Sequence, residues 1–429
     1  MKLEIPYLNK TFPLEFPDEN LLAFAEPNEY PVQTGTTELI NAALDTPYSP
    51  AGKQNGITLP GFLKGGKKIL IIINDATRPT PTEAMLSALI PVLESVCHGS
   101  SLALLVATGA HRAPTEEEYR QILGCHYERL RKNTVYHDAR NDGEMVDIGT
   151  TRNGTPMLLN KKLFIADRII ATGSVEPHYF AGFTGGRKAF LPGIASYKTI
   201  EANHKNALSP NAKSLALEGN PVHEDMMDAL PLIKAPVFSV MTVLDKKHTV
   251  AAVCTGDLMA SFYGAVTIAK KIFCVAVPSK ADIVVSVAKF PMDIDLYQSQ
   301  KAIDNGAVAL KDGGFLILVS SCRDGIGDEA YANLLKRSSS PADAIERIRA
   351  GYKLGYHKAA KMAEVSGRAT IIAVSELSSE TLNDLFIEKA ASPQEALDKA
   401  MDHLTSNGIA APKILVLPDG CVTVPDVVN

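Results

Sequence analysis

Lys68-Ile-Leu-Ile-Ile-Ile-Asn74 decides the fold. Its five consecutive branched aliphatic residues show no polar alternation, which reads as a strand buried on both faces. Parallel sheets covered by helices produce such strands. The next segment, Asp75-Ala-Thr-Arg78-Pro79, is a polar loop in which the proline bars a helix from forming at Arg78. Thr82 to Ser95 then carries a helical pattern. The same alternation recurs along the chain, with strands predicted at Leu102–Ala107, Arg168–Thr172, Asp282–Val287, Phe315–Ser320, Arg368–Val374 and Lys413–Leu417. Strands alternating with helices predict an α/β fold with largely parallel sheets.

A chain of 429 residues calls for two domains. The first is expected to span 1–275, with 408–429 returning to it, and the second 280–405. The active site is expected in the cleft between them. A net charge of −5 argues against nucleic acid as the main partner. No apolar run reaches the roughly 18 residues a membrane span needs. The start of the chain has no apolar signal core. Six scattered cysteines without CxxC spacing point to neither disulfides nor a thiolate zinc site, and place the protein in a reducing cytoplasm.

The polar loops carry the chemistry, and each follows a predicted strand, where α/β sheets bind ligands. Arg78 offers a planar fork suited to a carboxylate or phosphate; a structural ion pair with Asp75 is the bland alternative. His111 follows Thr108-Gly-Ala, where glycine allows a tight turn. The 21 residues from Gly173 to Gly193 contain five glycines and two prolines, too many breakers for regular structure. Within them lie His178, a Gly185-Gly186 pair able to cradle a phosphate with backbone N–H groups, and Lys188 in apolar surroundings. A desolvated lysine loses its charge readily and can bond covalently to a cofactor. His204 falls on a helix predicted from Ser196 to Leu208. One histidine on a helix needs further metal ligands from other loops or from a cofactor. His137 and His223 read as structural.

Five segments in this order resemble the nickel-pincer lactate racemase family: Asp75 to Pro79, Thr108 to Arg112, Glu176 through Lys188, Asn203-His204, and Tyr297 to Lys301. The likeness spans nearly the whole chain. It implies a racemase or epimerase acting at the hydroxyl-bearing C2 of a 2-hydroxy acid, by hydride abstraction and return through a 2-keto acid. It implies the cofactor pyridinium-3,5-bisthiocarboxylic acid mononucleotide, joined to Lys188 and holding nickel with His204 as protein ligand. It implies His111 and His178 as alternate proton donor and acceptor. Arg78 matches the substrate carboxylate binder, Gln298 and Lys301 match residues contacting substrate or cofactor, and Asp75 and the Gly185-Gly186 pair fall in cofactor-contact segments. Partners implied are a small 2-hydroxy acid and the cofactor-biosynthesis proteins that load the enzyme, with an oligomer left open.

The chain departs from that family at one point. Characterised members place a tryptophan in the substrate pocket, and this sequence has no Trp. The corresponding region lies near Leu354 to Lys358, where Tyr356 or His357 is expected to line the pocket. Lactate, a sugar acid and a hydroxydicarboxylic acid therefore all stay open as substrates. Two other readings compete: a zinc hydrolase or lyase with His111, His178 and His204 as direct ligands, and a ligand-binding homologue without catalysis.

Overall fold

The computed structural model describes every residue except Gln33, His98 and Asn429. The chain forms two compact units, Glu29–Lys271 and a second made of Met1–Asn28 with Ile272–Asn429. No helix among the described residues is long and apolar enough to cross a membrane.

In the 29–271 unit, Lys68–Asn74 is a strand as expected, and Ile69 to Ile73 are all buried. It runs parallel to Ser101–Ala107 on one side and to Arg168–Ser174 on the other. Thr134–Tyr136 extends the sheet parallel beyond Ser101–Ala107, and Val237–Leu244 pairs parallel with Arg168–Ser174. Val250–Gly256 closes that edge antiparallel. One face of the sheet packs Ile69, Ile71, Ile73, Leu104 and Val106 against Leu86 and Leu89 of the helix Thr82–Val96. The core thus follows from the period-two pattern of the strand meeting the stripe of the helix. Because the central three strands are parallel, their following loops leave the same edge of the sheet.

The other unit has a six-stranded parallel sheet in the order Glu388–Ala390, Thr370–Val374, Leu310–Val319, Ala281–Val287, Ile414–Leu417 and Leu21–Phe24. This corrects the domain limits expected from sequence. The segment 408–429 does not return to the first domain: Ile414–Leu417 is an internal strand here. The first 28 residues belong to this unit as well. Leu21–Phe24 adds the edge strand, and Ile5, Leu14 and Phe16 pack with Ile283, Val285 and Val416 in one core. Asn20 and Lys413 fix the join, through Asn20 Nδ2 to Pro412 O (2.8 Å) and Lys413 Nζ to Glu19 O (2.6 Å). An edge strand needs only one partner, so a terminal segment can satisfy it from anywhere in the sequence.

Candidate functional site

Three adjacent parallel strands supply the site of the 29–271 unit: Lys68–Asn74 leads to Asp75 and Arg78, Ser101–Ala107 to His111, and Arg168–Ser174 to His178. Asp75 is buried and both its oxygens are engaged. Oδ1 accepts from the Thr77 hydroxyl at 2.7 Å and from its amide at 3.3 Å, and Oδ2 lies 2.7 Å from His111 Nδ1. Burial works to raise the Asp75 pKa, but the hydrogen bond and charge of His111, the Thr77 hydroxyl and Arg78 together hold it below the usual carboxylate value. An ionised carboxylate only accepts, so His111 Nδ1 donates and the neutral ring keeps its lone pair on Nε2. The His111 side chain is 50% exposed, against 8% for Asp75. Asp75 thus sets the tautomer of His111.

His178 is held otherwise. Its Nδ1 accepts from the Ala181 amide at 3.3 Å, which places the proton of the neutral ring on Nε2. Its ring stacks on Tyr179 (5.0 Å between centroids) and meets the edge of Phe180 at 4.6 Å. Phe180 is buried and joins the rest: its ring lies 5.0 Å from that of His204, and Lys188 Nζ sits 5.5 Å from its centroid. His204 is on the helix Tyr197–Lys205, capped by Ser196, whose side chain accepts from the Thr199 amide at 3.2 Å. Burial, and then the positive charge of Lys188, pushes the His204 pKa down to about 3. A buried imidazole kept neutral is the form that ligates a metal.

Short bonds tie the loops together. The Thr80 hydroxyl lies 3.0 Å from both Asn74 Oδ1 and Ser174 Oγ, linking the Arg78 loop to the strand that delivers His178. The Gly109 amide donates to Gly193 O at 3.0 Å, linking the His111 turn to the segment after Lys188. Thr108 Oγ1 donates to His137 O, and the His137 ring bonds Ala195 O (2.8 Å) and Asn160 Nδ2 (3.1 Å), so His137 is a structural post.

Several expectations are revised. Gly185 (φ +76°) and Gly186 (φ +54°) do occupy backbone conformations that favour glycine. Gly186, however, is buried, its amide points at Met241 Sδ (3.2 Å), and a Cβ there would lie 2.8 Å from Phe262. Close packing demands that glycine. The three-histidine zinc centre does not form: among the described residues no group of three or more His, Cys, Asp or Glu side chains is placed to hold a metal. An open groove of about 940 Å³ in this unit, lined by Arg152, Leu217, His223, Met227, Tyr263 and Lys270 among others, includes none of the expected site residues.

In the other unit, Gln298 and Lys301 lie on the helix Leu296–Gly306 at the i, i+3 spacing that shares a face. Asp295 caps that helix by accepting from the Gln298 amide at 2.7 Å, and Lys301 Nζ lies 3.1 Å from Met292 Sδ. Tyr356 starts the helix Tyr356–Ser366 and is half-buried. His357 is buried, with Nδ1 2.9 Å from the Tyr352 hydroxyl.

The family model for the lactate racemase N-terminal domain matches residues 7–215, and that for the C-terminal domain matches 276–424. A lactate racemase of Thermoanaerobacterium thermosaccharolyticum is 32% identical, over 97% of each chain. The lactate racemase of Lactiplantibacillus plantarum is also 32% identical, over 97% of this chain and 98% of that one. The chain belongs to the lactate racemase family. Membership makes it an isomerase of the racemase type. The solved lactate racemase apoprotein of T. thermosaccharolyticum superposes with a TM-score of 0.90 at 31% identity, covering 99% of this chain and 100% of that one. A Thermotoga maritima protein, 17% identical with a TM-score of 0.68 over 92% of this chain and 98% of its own, shares the fold.

Within this member of the lactate racemase family, sequence reasoning missed Phe180, Thr80 and Arg187. Phe180 had a signal, an aromatic directly after His178-Tyr179 in a glycine-rich loop. Thr80 had none, because its partner Ser174 lies on a strand distant in sequence.

Proposed function

We propose that this enzyme inverts C2 of a 2-hydroxy acid through a 2-keto acid. The observation that carries the reading is the pair of histidines on loops of one sheet edge. Each has Nδ1 engaged, His111 by Asp75 and His178 by the Ala181 amide, which leaves Nε2 for a ligand. Inversion needs a flat intermediate, which forms when the C2 hydrogen leaves as hydride and the hydroxyl loses its proton. A nickel-pincer nucleotide tethered at Lys188, when bound, supplies the hydride acceptor. The residues present fit it: His204 is a neutral buried imidazole, Lys188 is close enough to depress it, and a single protein ligand suffices only where the cofactor brings its own donors.

The chain's own work is with protons and orientation. His111, with Asp75 behind it, takes the hydroxyl proton of one enantiomer at Nε2. Arg78 grips the substrate carboxylate, holding the acid while the carbonyl face presented is exchanged. His178, once it has given up the Ala181 contact and is an imidazolium, returns its Nε2 proton to the oxygen, and the neutral ring left behind serves as base for the opposite enantiomer. Asp75 would stabilise the imidazolium that His111 becomes. The assignment of Gln298, Lys301 and Tyr356 to ligand contact is part of the same proposal. So is a cytoplasmic setting, which six free thiols support.

The test has two parts. Intact-mass analysis of protein made alongside cofactor-building enzymes should show an adduct on wild type and none on Lys188→Ala. A panel of lactate, malate and aldonic acids, followed by chiral chromatography, should show racemisation or epimerisation of at least one. An active, adduct-free Lys188→Ala would overturn the reading.

A further inference from the structure

The segment between His178 and Lys188 is irregular, yet its backbone is held at four carbonyls by two side chains. The Asn220 side-chain amide donates to Phe180 O at 2.9 Å. The Arg187 guanidinium donates to Ala181 O (2.6 Å), Phe183 O (2.9 Å) and Gly185 O (3.3 Å). Its remaining Nε–H goes to His223 Nδ1 at 3.0 Å. Arg187 is fully buried, with its Cζ 4.5 Å from the centroid of the Phe262 ring. Among the described residues no carboxylate pairs with it. Burial brings its pKa down to about 9, with Tyr263 acting in the other direction.

A buried cation without a counter-ion is costly, and a chain keeps one where its geometry is needed. The geometry here is the planar fork, which reaches the carbonyls of alternate residues 181, 183 and 185 at once. These are the residues between the two functional side chains, and Arg187 is the immediate neighbour of Lys188. His223 completes the fork. It lies on the helix Pro221–Ala229, N-capped by Asn220, the same residue that holds Phe180 O. Burial, and then the charge of Arg187, pushes His223 down to about 3, so its Nδ1 is a lone pair. Its ring stacks on Phe262 at 6.3 Å, so Phe262 carries both members of the pair.

We propose that Arg187 and His223 form a positioning pair: the imidazole orients the guanidinium, and the guanidinium fixes the loop that presents His178 and Lys188. The inference rests on the functional reading of those two residues. A misplacement of about 1 Å at a reacting group can lower turnover on the order of 100-fold, so a loop without regular structure needs such a brace.

The side-chain amide of glutamine can accept from Arg187 Nε in place of the imidazole, whereas leucine fills the space and accepts nothing. His223→Gln and His223→Leu should be compared as full-length protein by hydrogen–deuterium exchange, thermal melting and steady-state kinetics. The kinetics use cofactor-loaded enzyme and the fastest acid of the panel above. The expected result for His223→Leu is faster exchange confined to peptides covering 179–189, and kcat lower by about 10- to 100-fold. His223→Gln should restore both. Wild-type exchange and kcat in His223→Leu would overturn the proposal. So would equal impairment of both variants with exchange raised across the unit, which would reduce His223 to a packing ring. His178→Ala serves as the control for the underlying reading. If it racemises normally, that reading fails, while the exchange data, which need no turnover, still report on the brace.

Discussion

His111 and His178 occupy equivalent places, each on a loop after a central strand, but they are held in opposite ways. A buried carboxylate grips His111 and fixes its proton on Nδ1. A weaker contact of 3.3 Å from a backbone amide fixes the proton of His178 on Nε2, with aromatic rings on two sides. In the proposed mechanism His111 at rest is therefore set as a base. His178 must surrender the Ala181 contact and carry a proton on Nδ1 before its Nε2 can accept one. Two residues proposed to have mirror-image duties in a symmetric reaction need not be built symmetrically, since the reaction fixes only the overall equilibrium.

The harshest test removes each ring. His111→Ala and His178→Ala should each lose racemisation in both directions by about 10²- to 10⁴-fold, the usual worth of a general acid–base group. In a single-turnover assay of keto acid formation the two variants should retain activity toward opposite enantiomers. Substantial two-way racemisation by either one would remove its histidine from the proton path.

Asp75→Asn separates the tautomer-setting role from the ring itself. The amide keeps the shape but loses the charge and can present a donor to Nδ1, which favours the wrong tautomer. A loss of about 100-fold in kcat, less than for a buried triad because His111 is half-exposed, is the expected outcome. Unchanged kcat would make the contact merely structural. A milder difference should appear in the wild type. The enantiomer whose proton goes to His111 should be oxidised about 5-fold faster in the first turnover, reflecting one weak hydrogen bond of about 1 kcal/mol on the His178 side. Equal rates would show that the Ala181 contact is energetically silent.

The smallest effect is on stability. The Asp75 pKa is depressed in the folded protein below its ordinary 3.8. Its contribution is therefore present above that value and lost as pH falls through the folded pKa. In urea titrations the stability gap between wild type and Asp75→Asn should be constant from pH 7 to about 5 and close below about 4. A gap that widened toward acid would contradict the sign of the shift.

Much of this was legible from sequence because it was local. The run Ile69 to Ile73 announced a buried strand, and the structure has the same limits, Lys68–Asn74. The helix predicted to begin at Ser196 has its cap there, and the Ser196 side chain accepts a hydrogen bond from the amide three residues on. What stayed hidden depended on distant partners. The hairpin of Lys2–Tyr7 and Lys10–Glu15 turns through Leu8 at φ +53°, without the glycine that usually marks such a turn. The strands Val237–Leu244 and Val250–Gly256 went unassigned, and with them the antiparallel edge of the sheet. In the candidate site, residue types in glycine-bounded loops pointed to the histidines and the lysine, but not to the Arg187 hydrogen bonds, whose carbonyl partners are set only once the loop is folded.

The interleaving of the termini has a consequence for biosynthesis. The 29–271 unit is continuous and can fold as soon as it clears the ribosome. The first 28 residues cannot: their sheet neighbour, Ile414–Leu417, is made only after the whole 29–271 unit. At typical translation speeds the nascent amino terminus waits on the order of a minute, with Ile5, Leu14 and Phe16 lacking their final core. Loss of Ile414–Leu417 would therefore leave Leu21–Phe24 without its sheet neighbour as well.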